Sequence, residues 1–401
     1  LKHKKVGAAV AVVLSLQLVL SGCWFNTNST SKVVNKNTGK TETARIVPGS
    51  ASGDYQMMRP IANDTVRGYI QYGATNLADS DQLETGLMSL SKSAYSPNQY
   101  VFQTGQYLDV NTINSFLYRQ GQKQLNPQTG QTMSSKLSGL NPPLGKKGSV
   151  VQQAQSSPKY INYVLEQDYL KKGSGGKYTL GGVSVAVSLN SVYTDSITDS
   201  KGLIHQISVP LSASQVKAWG EAHAPQVIQR IRSAKGLGQV PIFLTLYLAA
   251  GPSSLVSGDF FAKTTVSAGS STIGGWTNVD EQHVLFPSNT ASSNYKTDNG
   301  RFSAFNNAVT GYFPDYVNVV GQGYYQSKTL TDLTLNINMN KFRDQTEIIG
   351  FTNYVANLIN NSFSFPRDVA VHVYIKTGNV QDALIERTAN MNNAYVTIFH
   401  H

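Results

Sequence analysis

Cysteine is nearly missing from this chain: Cys23 is the single one in 401 residues. An intramolecular disulfide is therefore excluded, and folding has to rest on a buried hydrophobic core, which a chain of this length can build in one domain or two. Charge is scarce as well, at 14%, while Asn, Ser, Thr and Gln are plentiful and Tyr occurs 21 times, so the surface reads as polar rather than highly charged. Lys and Arg exceed Asp and Glu by 33 to 23. The cations are scattered along the sequence, so their excess indicates weak adhesion to an anionic envelope and not a nucleic-acid groove. Metal-ligand spacing is lacking too, since His205, His223, His283 and His372 stand apart and His400-His401 hang at the end. The one long apolar run is Val6 to Leu20, broken only by Ser15 and Gln17. It suits the core of a secretory signal peptide and is short for a membrane span of about 20 residues.

Lys2, Lys4 and Lys5 precede that run, and Leu20-Ser21-Gly22-Cys23 closes it. Small residues just before a cysteine, with leucine ahead of them, form a lipobox, the recognition motif of the bacterial lipoprotein signal peptidase. Leu20, Ser21 and Gly22 are thus expected to direct cleavage, and Cys23 to carry diacylglycerol with palmitate-type chains and an added N-acyl chain. Several acyl chains hold a protein on a bilayer where one alone attaches only reversibly. The expected location is the extracellular face of the cell membrane, lipid-anchored, with the membrane and the lipoprotein-processing enzymes as partners. Apart from that lipid no cofactor, metal or nucleic acid is implied.

Along the chain, residues 1–22 read as signal peptide and 23–56 as a lipidated N-terminus with a disordered tether, because Trp24 to Gly53 is dominated by Asn, Thr, Ser and Lys. Residues 57–175 read as an N-terminal α+β region with a strand over Arg67–Tyr72, a helix over Asp79–Tyr95, a loop over 120–148 and a helix near Tyr160–Leu170. The second of these rests on the capping-box spacing of Asp81 and Glu84 and on the shared face of Leu83, Leu87 and Leu90. Residues 176–401 form a C-terminal α+β region in which a strand, helix, strand pattern occurs twice. In the first unit Val183, Val185, Val187 and Leu189 alternate, a helix follows Ser212, and Val240 to Leu248 alternate again, with a hairpin inserted around Thr198–Gly202. In the second, Leu333 to Met339 alternate, Ile348, Phe351, Val355 and Leu358 stripe a helix, and Val369 to Ile375 return. The fold class is α+β: mixed sheets with packed helices and two βαβ-like units in the C-terminal part.

Candidate chemistry is thin. Ser156-Ser157-Pro158-Lys159, Ser188-Leu189-Asn190 and Lys376-Thr377-Gly378 occur in the order found in penicillin-recognising serine enzymes. Ser156 and Ser188 are too close in sequence for the helical layer between them, and Lys376 is too far off, so no enzymatic activity is expected. The Gly173–Lys177 turn lacks the leading glycine of a phosphate-binding loop. Asp280 and Glu281 are adjacent on an extended segment and point to opposite sides, which gives no acid and base pair. His223 shares a helix face with Val216, Trp219 and Val227, which suits a hydrogen-bonded core residue, and His372 alternates away from Val371 and Val373 toward solvent. Tyrosine and tryptophan crowd a loop-rich stretch that also holds Phe313 and Tyr316, and such rings stack on sugars and anchor peptides. Trp276, Tyr295, Tyr312, Tyr324 and Tyr325 are therefore the candidate ligand-binding residues, with core packing as the competing explanation.

Ala94-Tyr95-Ser96-Pro97-Asn98-Gln99-Tyr100, Gly105-Gln106-Tyr107-Leu108, Gly139-Leu140-Asn141-Pro142, Leu285-Phe286-Pro287-Ser288 and Gly311-Tyr312-Phe313-Pro314 stand beside the lipobox. In these motifs the chain resembles the CamS family of Gram-positive lipoproteins, the sex pheromone precursors, over nearly its whole length after the signal peptide. The resemblance implies an α+β fold with no established enzymatic activity. It further implies that the signal-peptide tail, here Ser15-Leu16-Gln17-Leu18-Val19-Leu20-Ser21-Gly22, is released as a short hydrophobic peptide that prompts plasmid-bearing neighbours to conjugate through a pheromone receptor. Gln17 departs from the family's tails. A second reading, of a different class, is an envelope-binding lipoprotein whose mature domain holds a wall glycan, a peptide or a protein partner.

Overall fold

A computed structural model describes residues 30–34, 41–59, 77–122, 139–312, 317–339 and 344–400. The signal peptide, the lipobox, Cys23, Phe313, Tyr316 and the strand expected over Arg67–Tyr72 lie outside the described residues.

The first body is a nine-stranded sheet. Its strands are β1 (Thr30–Val34), β2 (Thr41–Val47), β3 (Gln56–Arg59), β4 (Tyr100–Thr104), β5 (Ile161–Lys172) and β6 (Lys177–Asn190). The hairpin β7 (Val192–Thr198) and β8 (Ile204–Pro210) forms a sheet of its own, and β9 (Ile242–Ala249), β10 (Asp259–Val266) and β11 (Thr277–Asn278) complete the first body in the order β1-β2-β3-β4-β5-β6-β9-β10-β11. β1 also pairs with β6, in parallel, so the first six strands close a ring. Its interior is filled by Ala44, Met58, Val101, Leu170 and Tyr178, with Val33 and Ile46 packed against them.

Two strands thus fall inside the stretch expected to be tether. The polar composition of that stretch conceals a period of two, in which Ala44 and Ile46 turn inward while Thr43 and Arg45 face solvent. The helix expected near Tyr160–Leu170 is also corrected, being the strand β5. Ile161 and Val164 enter one hydrophobic cluster and Tyr163 and Leu165 another. A strand buried on both faces shows no alternation that separates it from a buried helix. β5 and β6 pair along their lengths, so the boundary expected at 175/176 lies in the turn of one hairpin. The sheets divide instead between Asn278 and Glu281.

Helices α1 (Leu77–Ser91), α2 (Val110–Leu117), α3 (Val150–Ser156) and α4 (Ala213–Ser233) belong to the first body, and α1 is the helix expected from Asp79, with Leu83 and Leu87 buried. α4 starts where Ser212 accepts a hydrogen bond from the Gln215 amide, and it carries the chain from β6 to the parallel β9. That is the first βαβ unit.

The second body holds α5 (Asn289–Asn294), α6 (Lys296–Tyr312) and α7 (Gln345–Asn357). Its sheet runs in chain order through β12 (Glu281–Phe286), β13 (Val317–Gln326), β14 (Thr329–Met339), β15 (Ala370–Thr377), β16 (Val380–Arg387) and β17 (Tyr395–Ile398). β14 and β15 are parallel and joined through α7, which Asp344 caps; this is the second βαβ unit. Phe302, Phe305 and Val309 of α6 and Ile348, Phe351 and Val355 of α7 meet Leu333, Leu335, Ile337, Val371, Val373 and Ile375 on one sheet face. Each unit therefore sits in its own sheet, over its own core. Among the described residues no helix is long and apolar enough to cross a membrane.

Asn141 locks the first body. Its amide nitrogen donates to the carbonyls of Leu117 (2.8 Å) and Ile161 (2.9 Å), and its oxygen accepts from the amides of Tyr160 (2.7 Å) and Ile161 (2.8 Å). The side chain is fully buried with its hydrogen-bonding capacity filled, and it ties the end of α2 to the start of β5. Asn141→Ala strands several buried backbone groups, each at a cost of about 1–3 kcal/mol. We expect urea denaturation to show a loss of at least about 3 kcal/mol, and a loss below about 1 kcal/mol would refute this role.

Candidate functional site

The expected aromatic site is only partly assembled. Tyr324 and Tyr325 are neighbours on β13, and Tyr295 ends the short α5 segment, with its ring centroid 4.0 Å from that of Tyr325. The Tyr295 hydroxyl donates to Gln282 Oε1 (2.6 Å), and the Tyr325 hydroxyl donates to Asp298 Oδ2 (2.9 Å), whose other oxygen accepts from Arg301 (2.8 Å). Tyr324 stands on the opposite face, over His283 of β12, with ring centroids 4.8 Å apart. Burial first, then the neighbouring carboxylates, pushes the hydroxyls of Tyr324 and Tyr325 far above their ordinary range, so both stay neutral.

Around Tyr324 the two bodies meet. The His283 amide and its Nδ1 both approach Asp259 Oδ1, at 2.8 and 2.7 Å. The Tyr324 oxygen accepts from Gln326 Nε2 (3.0 Å), and the Glu281 carboxyl is near enough to act on it. Burial raises the carboxyls of both Asp259 and Glu281, and the His283 contact offsets part of this for Asp259. One residue earlier, the Gly258 amide donates to buried Asp79, which also accepts from the Tyr247 hydroxyl and the Ala250 amide. A Cβ at Gly258 would lie 1.9 Å from the Leu248 carbonyl oxygen, so only glycine fits there. Asp259 and His283 carry no motif; they sit on β10 and β12, strands of different sheets, and only the packing of those strands brings them together.

Trp276 and Tyr312 lie apart from this cluster. Trp276 packs against the core of the first body. Tyr312 ends α6, about 25 Å along the helix from Tyr295, and stacks on Tyr354 at 4.7 Å. Between α6 and the chain after α7, Arg301, Phe305, Leu358 and Phe363 line a cavity of about 180 Å³.

The serine-enzyme patterns are not brought together as a site. Ser156 donates to the Gln153 carbonyl, Lys159 pairs with Asp195 at 3.5 Å, and Asn190 donates to the Lys159 carbonyl. Lys376 belongs to the other sheet, with its ammonium over Tyr374. His223 bonds the Trp219 carbonyl at 2.8 Å and stacks on that ring, as expected of a packed residue. His372 does turn away from the core, but it is paired rather than solvated: Nε2 lies 3.0 Å from Asp332 and Nδ1 3.3 Å from Glu386. Pairing across three strands supplies these partners, which periodicity along one strand does not reveal.

Three comparisons bear on identity. The family model described as CamS sex pheromone cAM373 precursor matches residues 62–393. The crystal structure of a sex pheromone precursor from Lactobacillus salivarius subsp. salivarius UCC118 is similar, with 28% identity and a TM-score of 0.74, over 89% of this chain and 99% of that one. The C-terminal domain of the sex pheromone staph-cAM373 precursor from Staphylococcus aureus is similar at 27% identity and TM-score 0.63, over 82% of this chain and 98% of that one. No curated protein matches the chain.

The His372 contacts give the site a pH signature. The hydrogen bond to Asp332, followed by the charges of Asp332 and Glu386, raises the imidazole above its ordinary value of 6.5 against the opposing effect of burial. A folded-state value above the unfolded one adds stability that is complete below about pH 6.5 and fades as pH rises through the folded value. His372→Gln should therefore cost more stability at pH 5.5 than at pH 9 in paired denaturation curves. An equal cost at both would sink the assignment.

Proposed function

The chain belongs to the CamS family of sex pheromone cAM373 precursors, and from that premise we propose that it is a lipoprotein anchored through Cys23 to the extracellular face of the membrane. The tail of its signal peptide, Ser15 to Gly22, is then released as a conjugation pheromone. The observation that carries this reading is the join of an apolar, side-chain-neutral stretch to Leu20-Ser21-Gly22-Cys23 behind a lysine-rich start. Cleavage before Cys23 separates two products with different chemistry. The peptide has no charged side chain, so a receptor reads it by shape in an apolar groove. The remaining chain acquires acyl groups and stays on the cell. We assign it no catalytic role.

A second reading concerns the anchored body, which holds a wall glycan. It is favoured by the face of the six-stranded sheet opposite the helices, where Thr334, Asn336 and Tyr374 stand half-buried in adjoining strands. Planar amides, hydroxyls and tyrosine rings in rows suit a neutral polyhydroxyl chain.

Mass spectrometry of culture filtrate should detect Ser15–Gly22, whole or trimmed by a residue, in the parent strain and not in one lacking this gene. Growth with a palmitate analogue should label the membrane-bound protein and leave Cys23→Ser unlabelled. Absence of the peptide, with a spiked standard recovered, would end the pheromone reading, and label retained on Cys23→Ser would end the anchor.

A further inference from the structure

The cations that look scattered along the sequence gather where the chain enters the fold. β1 begins at Thr30, opposite Arg45 of β2, and Arg45 in turn faces Arg59 of β3. Lys32 lies opposite Lys177 at the start of β6, and Lys171 and Lys172 end β5 just before the Gly173–Gly176 turn. β1 and β6 start, and β2 and β5 end, at one mouth of the six-strand ring. Lys32, Arg45, Arg59, Lys171 and Lys172 are exposed and Lys177 is half-buried. Val47 and Met57, 46% and 40% exposed, stand opposite each other at the same mouth.

Among the described residues these charges are not consumed by acids. None of the ion pairs between described residues takes any of the six cations. Among the described acids, Asp54, in the β2–β3 loop, pairs with Lys92, and Asp168 of β5 is fully buried. Lys171 does lie over the Tyr100 ring at 4.6 Å, which fixes its stem and leaves its charge in place.

We propose that this mouth is a membrane-contact surface that seats on anionic phospholipid headgroups. For its orientation the proposal rests on the anchor reading above. Six residues separate Cys23 from Thr30, and a fully extended chain of that length reaches about 25 Å at most. An acyl-bearing Cys23 therefore holds the mouth within a few tens of ångströms of the bilayer, where the field of anionic lipids acts on every lysine. Cations around two exposed apolar side chains match a surface that is negative outside and apolar beneath.

The test uses the mature chain with Cys23→Ser, so that no acyl group contributes, sedimented with vesicles of phosphatidylcholine with and without phosphatidylglycerol. Binding is expected only with phosphatidylglycerol and should weaken with salt. Each neutralised lysine at the surface is expected to lower affinity about five-fold. K171Q/K172Q should thus lower it about 25-fold, and the charge reversal K32E/K171E/K172E/K177E should abolish it. K146E/K147E, in an exposed loop before α3, should change it less than two-fold. Equal loss in the two regions, binding to phosphatidylcholine alone, or no binding to either vesicle would overturn the proposal. Retained vesicle binding with no palmitate label on the wild-type protein would sink the anchor reading alone.

Discussion

Strand β6 is the member on which the first body depends. β5 pairs along one of its edges; on the other edge β1 takes the first residues and β9 the stretch from Val183 onward. Val183, Val185, Ala186, Val187 and Leu189 are all buried. A strand without a wet face has to satisfy each backbone group in the ladder, so its registers with three partners are fixed together. The critical point is where the second edge changes partner. There the Tyr95 hydroxyl lies 3.0 Å from both the Val183 and Pro241 carbonyls, filling the gap between β1 and β9. Its ring occupies the space a Cβ on Gly182 would need, with the nearest atom at 2.3 Å. Ring closure, the crossing of α4 and the line of β9 all follow from that switch.

Such a constraint explains which parts were legible in the sequence. The two βαβ units could be read because their strands alternate and their helices carry caps at Ser212 and Asp344. β5 could not, since burial on both faces removes the alternation. β1 and β2 were hidden for a different reason. Strands whose outward side chains are Lys, Thr and Arg, with a small Ala44 inside, have the composition of a linker, and only closure of the ring gives them an interior. Aromatic density marked Tyr295, Tyr324 and Tyr325, whereas the Asp259 and His283 pair, on strands of different sheets, left no local signal. The basic mouth was invisible in the same way, because five strands each contribute one or two cations.

Among the described residues the joint between the bodies is held by polar contacts: Asp259 with His283, and Gln322 Nε2 on the Leu255 carbonyl at 2.7 Å. Both His283 bonds converge on one oxygen of a carboxylate whose neighbour, Gly258, is itself pinned to Asp79. This makes the joint directional. It fixes the first strand of the second sheet relative to the β9–β10 turn of the first body.

Release of a peptide from residues 15–22, as proposed, would place no demand on the fold that follows it. The folded chain nevertheless fills the hydrogen-bonding capacity of a buried asparagine, closes a ring of strands around few apolar residues, and keeps a cluster of like charges at one mouth. Like charges gathered without acids lower stability through mutual repulsion, and folding alone gives no reason to collect them where the chain enters. On the membrane-contact proposal a nearby anionic surface would relieve that repulsion, and the short approach from an acylated Cys23 would supply the proximity. The directional joint would then carry an orientation set at the mouth to the second sheet, holding its helix-free face at a defined attitude rather than on a free linker.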